Sequence, residues 1–109
     1  MSIPHARSGQ AIDVTPFGTI LPEQRSVALF KSAQLEVIRL ALATGKSMPE
    51  HQVKGEITIQ CLEGVLDVQI DGISSLLHAG QLMFLEGRVP HSVTAMTPAS
   101  ALVTMVLHH

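Results

Sequence analysis

Large aromatic residues are almost missing from this 109-residue chain, which has no Trp, no Tyr and only Phe17, Phe30 and Phe84. A pocket built from it lacks the Tyr and Trp platforms that stack sugars or bases. Basic clusters are missing as well. Seven Lys and Arg stand against nine Asp and Glu, a formal net charge of −2. That leaves no electrostatic footprint for nucleic acid and disfavours an anionic membrane surface. Apolar runs are short, such as 101–103 and 105–107 on either side of Thr104, and a bilayer span needs about 20 apolar residues. One cysteine, Cys61, excludes an internal disulfide, which fits a reducing compartment such as the cytoplasm. The first seven residues lack the charged-then-apolar layout of a secretion signal. There is no Gly-rich phosphate loop, no G-x-S-x-G, no paired-cysteine zinc spacing and no acidic cation loop.

What remains is an apolar chain of one-domain size. Hydrophobic residues make up 46% and charged residues 15%, enough apolar surface for one packed core and too little length for two. Residues 1–15 mix small, polar, Pro and Gly positions and read as an N-terminal arm; residues 16–109 read as the domain. Short β-type runs separated by turn residues predict strands near 26–32, 34–43, 56–62, 65–70, 73–78, 81–85, 91–96 and 100–107. Asp71-Gly72 between two such runs predicts a two-residue hairpin, because a type I′ turn needs positive φ at both centres. No window shows a capped 3.6-residue period, so very little helix is expected. The fold class is all-β.

The run 34–43 is apolar on both faces, with Leu35, Val37 and Ala41 on one and Ile38, Leu40 and Leu42 on the other. A strand with one face in water would alternate more cleanly. The extra face needs a cover, either the N-terminal arm or a second subunit, and a homodimer is expected on this pattern.

Two segments carry the chemistry. One runs from Gly45 through His51 to Gly64, the other from Gly80 through His91 to Ala95. They resemble the paired motifs of the cupin superfamily, in its small single-domain, RmlC-like form. The first motif is Gly, five residues, His-x-His, three or four residues, Glu, six residues, Gly. The second is Gly, five residues, Pro-x-Gly, two residues, His, three residues, Asn. Gly45, His51 and Gly64 fall on the first at the right spacing, and Gly80 and His91 on the second. The likeness covers about residues 26 to 107 and implies a single jelly-roll β-barrel of six to eight strands.

The departures from that pattern fall on the functional positions. The resemblance would put metal ligands at 51, 53, 57 and 91, but Val53 and Ile57 occupy two of them, leaving His51 and His91. Glu86, Arg88 and Ala95 replace the second motif's Pro, Gly and Asn. Alternation along a strand places 53, 57, 59 and 61 on the barrel-facing side with His51, so the pocket-lining set expected is His51, Val53, Ile57, Ile59 and His91. Cys61 lies roughly 13 Å along the strand from position 57 at about 3.3 Å per residue, too far to join a site there. Glu56 points away unless a bulge at Gly55 slips the register by one.

The expected function is therefore a small-molecule-binding barrel whose two histidines orient a polar or anionic group inside a mostly apolar cavity. The alternative, with the family's dioxygenases and isomerases as precedents, is a metal-dependent enzyme. In it His51 and His91 would hold iron, manganese, nickel or zinc, and water, Glu56 or substrate would complete the shell. His78 reads as a surface residue, Arg39 and Arg88 as exposed, and Met48, Met83, Met96 and Met105 as core fillers. His108 and His109 receive no role.

Overall fold

Short runs rich in Val, Ile, Leu and Thr, broken by Gly and Pro, have too few consecutive helix-compatible positions for a long helix and pair instead as strands. The computed structural model describes residues 5–51 and 53–107, with the backbone alone for 49–51. Nine strands appear: β1 (Val27–Lys31), β2 (Leu35–Leu42), β3 (Ser47–His51), β4 (Ile57–Glu63), β5 (Val65–Ile70), β6 (Ile73–His78), β7 (Leu82–Leu85), β8 (His91–Ala95) and β9 (Ala99–Val106). They form two antiparallel sheets, β1-β2-β9-β4-β7 and β3-β8-β5-β6, the two walls of a jelly-roll barrel. His108 and His109 lie outside the described residues.

Eight strands match the expected runs, and the ninth, β3, exceeds the expected six to eight. Pro49 inside it reads as a turn signal in sequence. In the fold β3 is an edge strand, where a missing N–H is tolerated, and its pairing with β8 breaks register between Met48 and His51. Asp71 and Gly72 both have positive φ, 52° and 75°, and Ile70 pairs with Ile73, as the type I′ hairpin requires. A 3₁₀ turn, Gly18–Glu23, is the helical element among the described residues.

The core sits between the sheets. Ile57, Ile59 and Cys61 of β4, Leu66 and Val68 of β5, Val93 and Ala95 of β8, and Ala101 and Val103 of β9 are all buried. Their period of two puts one face of each strand inward. Gly64 turns from β4 into β5 with φ 77°, and a Cβ there would collide with the Pro98 carbonyl oxygen. Left-handed backbone and close approach together demand glycine.

The outer face of β2 is covered from within the chain. Leu21 of the 3₁₀ turn is buried, and Arg39, on the same outer face as Val37 and Ala41, is only 4% exposed, not at the surface as expected. Its guanidinium lies 3.8 Å from the Phe17 ring centroid, donates to the Thr15 carbonyl at 2.6 Å and faces the Glu63 carboxylate at 3.8 Å. Glu63 accepts from the backbone N–H of Phe17 at 2.9 Å and Gly18 at 3.0 Å and from the Ser100 hydroxyl. Burial works to raise the Glu63 pKa, but these hydrogen bonds and Arg39 outweigh it and hold the carboxyl below the usual glutamate value. A charge at β2 and another at the end of β4 thus fasten residues 15–18 onto the sheet.

Candidate functional site

Pro90 ends a tight corner and delivers His91 as the first residue of β8. The corner is held by Arg88, whose backbone N–H donates to the Val53 carbonyl at 2.7 Å and whose φ is 67°. This is the position where the resembled motif has glycine, and the backbone conformation explains why. Arg88's side chain is exposed.

His91 is 3% exposed. Its Nδ1 lies 3.0 Å from the Val89 carbonyl oxygen; a carbonyl only accepts, so Nδ1 donates the hydrogen. Across the β3–β8 ladder the register partner of His91 is His51. Directly opposed residues of an antiparallel pair have Cα atoms about 4.5–5.5 Å apart. Two positions forty residues apart in sequence are thereby adjacent at one end of the four-stranded sheet.

The facing wall is apolar. Ile57 and Ile59 are buried on β4, with Ile57 paired to Leu85 on one side and Met105 on the other. Glu56, immediately before the strand, is exposed. The slipped register that would have turned it inward is not the one adopted, because the in-register β4 pairing already satisfies both neighbours with Ile57 in the core. A cavity of about 20 Å³ lies between the walls, lined by Ile57, Ile59 and His91 with Met48, Val103 and Met105 among others. That is room for one water-sized occupant. Val53 is half-buried in the loop before β4 and lines a separate groove at the rim of the barrel. Of the expected pocket residues, Ile57, Ile59 and His91 share one cavity and Val53 stands beside it.

Cys61 lies further along β4, buried, its thiol 3.4 Å from the carbonyl oxygens of Glu63 and Gly64. Burial pushes the thiol pKa up, so it stays protonated and unreactive at neutral pH. His78 is exposed, as expected. Met48 and Met105 border the cavity and Met83 packs against the core, whereas Met96 is exposed and is no core filler. The lining contributions of Met48, Val103 and Met105 were beyond the motif spacing. Only the alternation of β9, which sends 101, 103 and 105 inward together, hints at them.

The described residues do not by themselves make up a resident metal site. Structural and catalytic centres use three or four protein ligands. Here valine and isoleucine stand at two of the four motif positions, Glu56 beside one of them is exposed, and among the described residues no group of three His, Cys, Asp or Glu converges. No helix among the described residues is long and apolar enough to cross a membrane.

Solved structures share this architecture. An RmlC-like cupin from Desulfovibrio desulfuricans superposes with a TM-score of 0.70 at 25% identity, over 94% of this chain and 97% of that one. A conserved protein of unknown function from Streptococcus pyogenes gives 0.76 at 19% identity, over 100% and 96%. The polyketide cyclase RemF from Streptomyces resistomycificus gives 0.67 at 18%, over 76% and 64%. No curated protein matches the chain in sequence. The Cupin_2 model, described as a cupin domain, matches residues 38–107, a span that takes in His51, the 71–72 hairpin and His91. With that match and the two-sheet barrel, the chain belongs to the cupin family.

Proposed function

We propose that this cupin is a small-molecule-binding domain in which His51 and His91 supply the polar end of an otherwise apolar interior. The observation that carries the reading is the β3–β8 register, which sets His51 opposite His91 while Ile57 and Ile59 form the facing wall. Two imidazoles at an apolar wall orient a hydroxyl or carboxylate by hydrogen bonds. The same set lacks the carboxylate of a 2-His-1-carboxylate centre. The dioxygenase- or isomerase-type reading therefore needs ligands from water or substrate, and it ranks second.

The test is an amide NMR titration with acetate, propionate and butyrate. The expected result is shifts clustered at Ile57, Ile59, His91 and Val93 that vanish in a His91→Gln variant of unchanged fold. Shifts confined to the surface, or a cluster that persists in the variant, would contradict the reading.

The same proposal takes the chain to be a homodimer. Along the five-stranded sheet, Leu102, Gln60 and Leu82 form one outward row and Thr104, Thr58 and Phe84 the next. Leu82 is 62% and Phe84 56% exposed, and neither row carries a charge on these strands. An uncharged apolar face suits a self-complementary contact about a two-fold axis. The buried free thiol of Cys61 supports a reducing compartment, the cytoplasm.

A further inference from the structure

Two cavities meet at a single side chain. The first is the interior void of about 20 Å³ that holds His91. The second is a groove of about 340 Å³ at the barrel rim, bordered by Glu36, Val53, Lys54 and Leu107. Met105 lines both. The wall around it is stiff. Val106 donates to the Glu56 carbonyl at 3.0 Å and Arg88 to that of Val53 at 2.7 Å. Gly55 packs so closely on Val106 that a Cβ would strike its carbonyl oxygen. Ile57, opposite Met105 on β4, and Val103 beside it are β-branched and held at χ1. Met105 is unbranched, with three rotatable bonds and a polarizable sulfur. It is the side chain at this boundary with freedom to move while the backbone stays in place.

We propose that Met105 is the gate and size-determining residue of the His91 pocket. In one rotamer it closes the void at the size of a water molecule. Swung into the rim groove, it joins void and groove into one pocket of the size that small ligands occupy, about 300 Å³ or more. The joined pocket is apolar within, with His91 at its floor and Glu36 and Lys54 at its mouth. That arrangement suits a small molecule whose hydroxyl or carboxylate passes Met105 to reach His91 while its other end stays at the rim between Glu36 and Lys54. The inference rests on the ligand-binding reading above and adds to it which residue limits entry.

The test reads access to His91 with no ligand present. Diethylpyrocarbonate, which modifies neutral imidazole nitrogens, is applied to wild type, Met105→Ala and Met48→Ala, and the modification of each histidine is followed by peptide mass mapping. Both variants shorten a methionine at the void wall, but Met48 does not border the rim groove. Reactivity scales with the open fraction, so Met105→Ala should speed His91 modification by about tenfold or more, and Met48→Ala by much less. The exposed His78 serves as the unchanged reference. Equal acceleration in both variants, or none in Met105→Ala, would overturn the gate. Should Met105→Ala fail to fold, Met105→Phe carries the test: a bulkier plug must slow His91 below wild type, and an unchanged rate overturns the proposal. Acceleration at His91 together with silent carboxylate titrations would keep the gate and remove the ligand reading.

Discussion

Arg88 shows how one residue departs from a motif at an energetic cost. A non-glycine residue in the left-handed region costs about 1–2 kcal/mol relative to ordinary backbone, and glycine returns part of that through its freer unfolded state. Arg88→Gly should therefore stabilise the fold by about 0.5–1 kcal/mol, provided the exposed side chain has no compensating contact. Chemical denaturation checks this, with a higher midpoint at unchanged slope as the expected outcome. The substitutions at 53 and 57 act on chemistry instead. Ile57 exchanges a motif carboxylate for a buried branched side chain, which removes a desolvation cost and a metal ligand together. That exchange was legible in the sequence, because spacing from Gly64 located the position. Burial of Arg39 was not legible: its partners Thr15, Phe17 and Glu63 lie some two dozen residues away on either side, and no local pattern joins them.

At the scale of elements, the arm and β2 form the clearest cooperative unit. Apolar character on both faces of 34–43 required a cover, and Leu21 with residues 15–18 provides it over Val37, Arg39 and Ala41. The strands themselves were readable because each alternates or carries β-branched residues between turn signals. β3 was hidden because its pairing partner, not its composition, makes it a strand. Glu63 sets the pH response of the unit. Its pKa in the folded chain lies below that of the unfolded chain, so its contribution is fully present above the ordinary glutamate value, about 4.3. It is lost as pH falls through the lower, folded value. Glu63→Gln should lower stability by about 1 kcal/mol at neutral pH, through weaker hydrogen bonds to Phe17 and Gly18. It should also flatten the fall in melting temperature on acidification. Melting curves from pH 7 to about pH 3 check both parts, and parallel curves for variant and wild type would show that Glu63 is not the titrating clamp.

On the scale of the whole molecule, two walls of sheet enclose an interior with little empty space. Two of the apolar residues left outside, Leu82 and Phe84, lie on β7, which ends the five-stranded sheet. An exposed edge strand with Leu82 and Phe84 facing outward invites association. Leu82→Glu with Phe84→Glu should convert a dimer to a monomer in light scattering behind size exclusion, with the barrel's circular dichroism unchanged. A monomeric wild type would refute the two-fold contact. Family and barrel were readable from paired motifs in order with a β-rich remainder. Cavity size was not, because it depends on how Met48, Val103 and Met105 fill the space between sheets, and no spacing rule encodes that.

The central claim is that the two-histidine site works without a resident metal. Elemental analysis of untagged protein purified without chelator, beside His51→Ala, tests it most directly. Metal far below one equivalent is expected in both proteins, even after incubation with iron, manganese, nickel and zinc. Near-stoichiometric metal in the wild type that disappears in His51→Ala would contradict it and return the chain to the metal-dependent cupins.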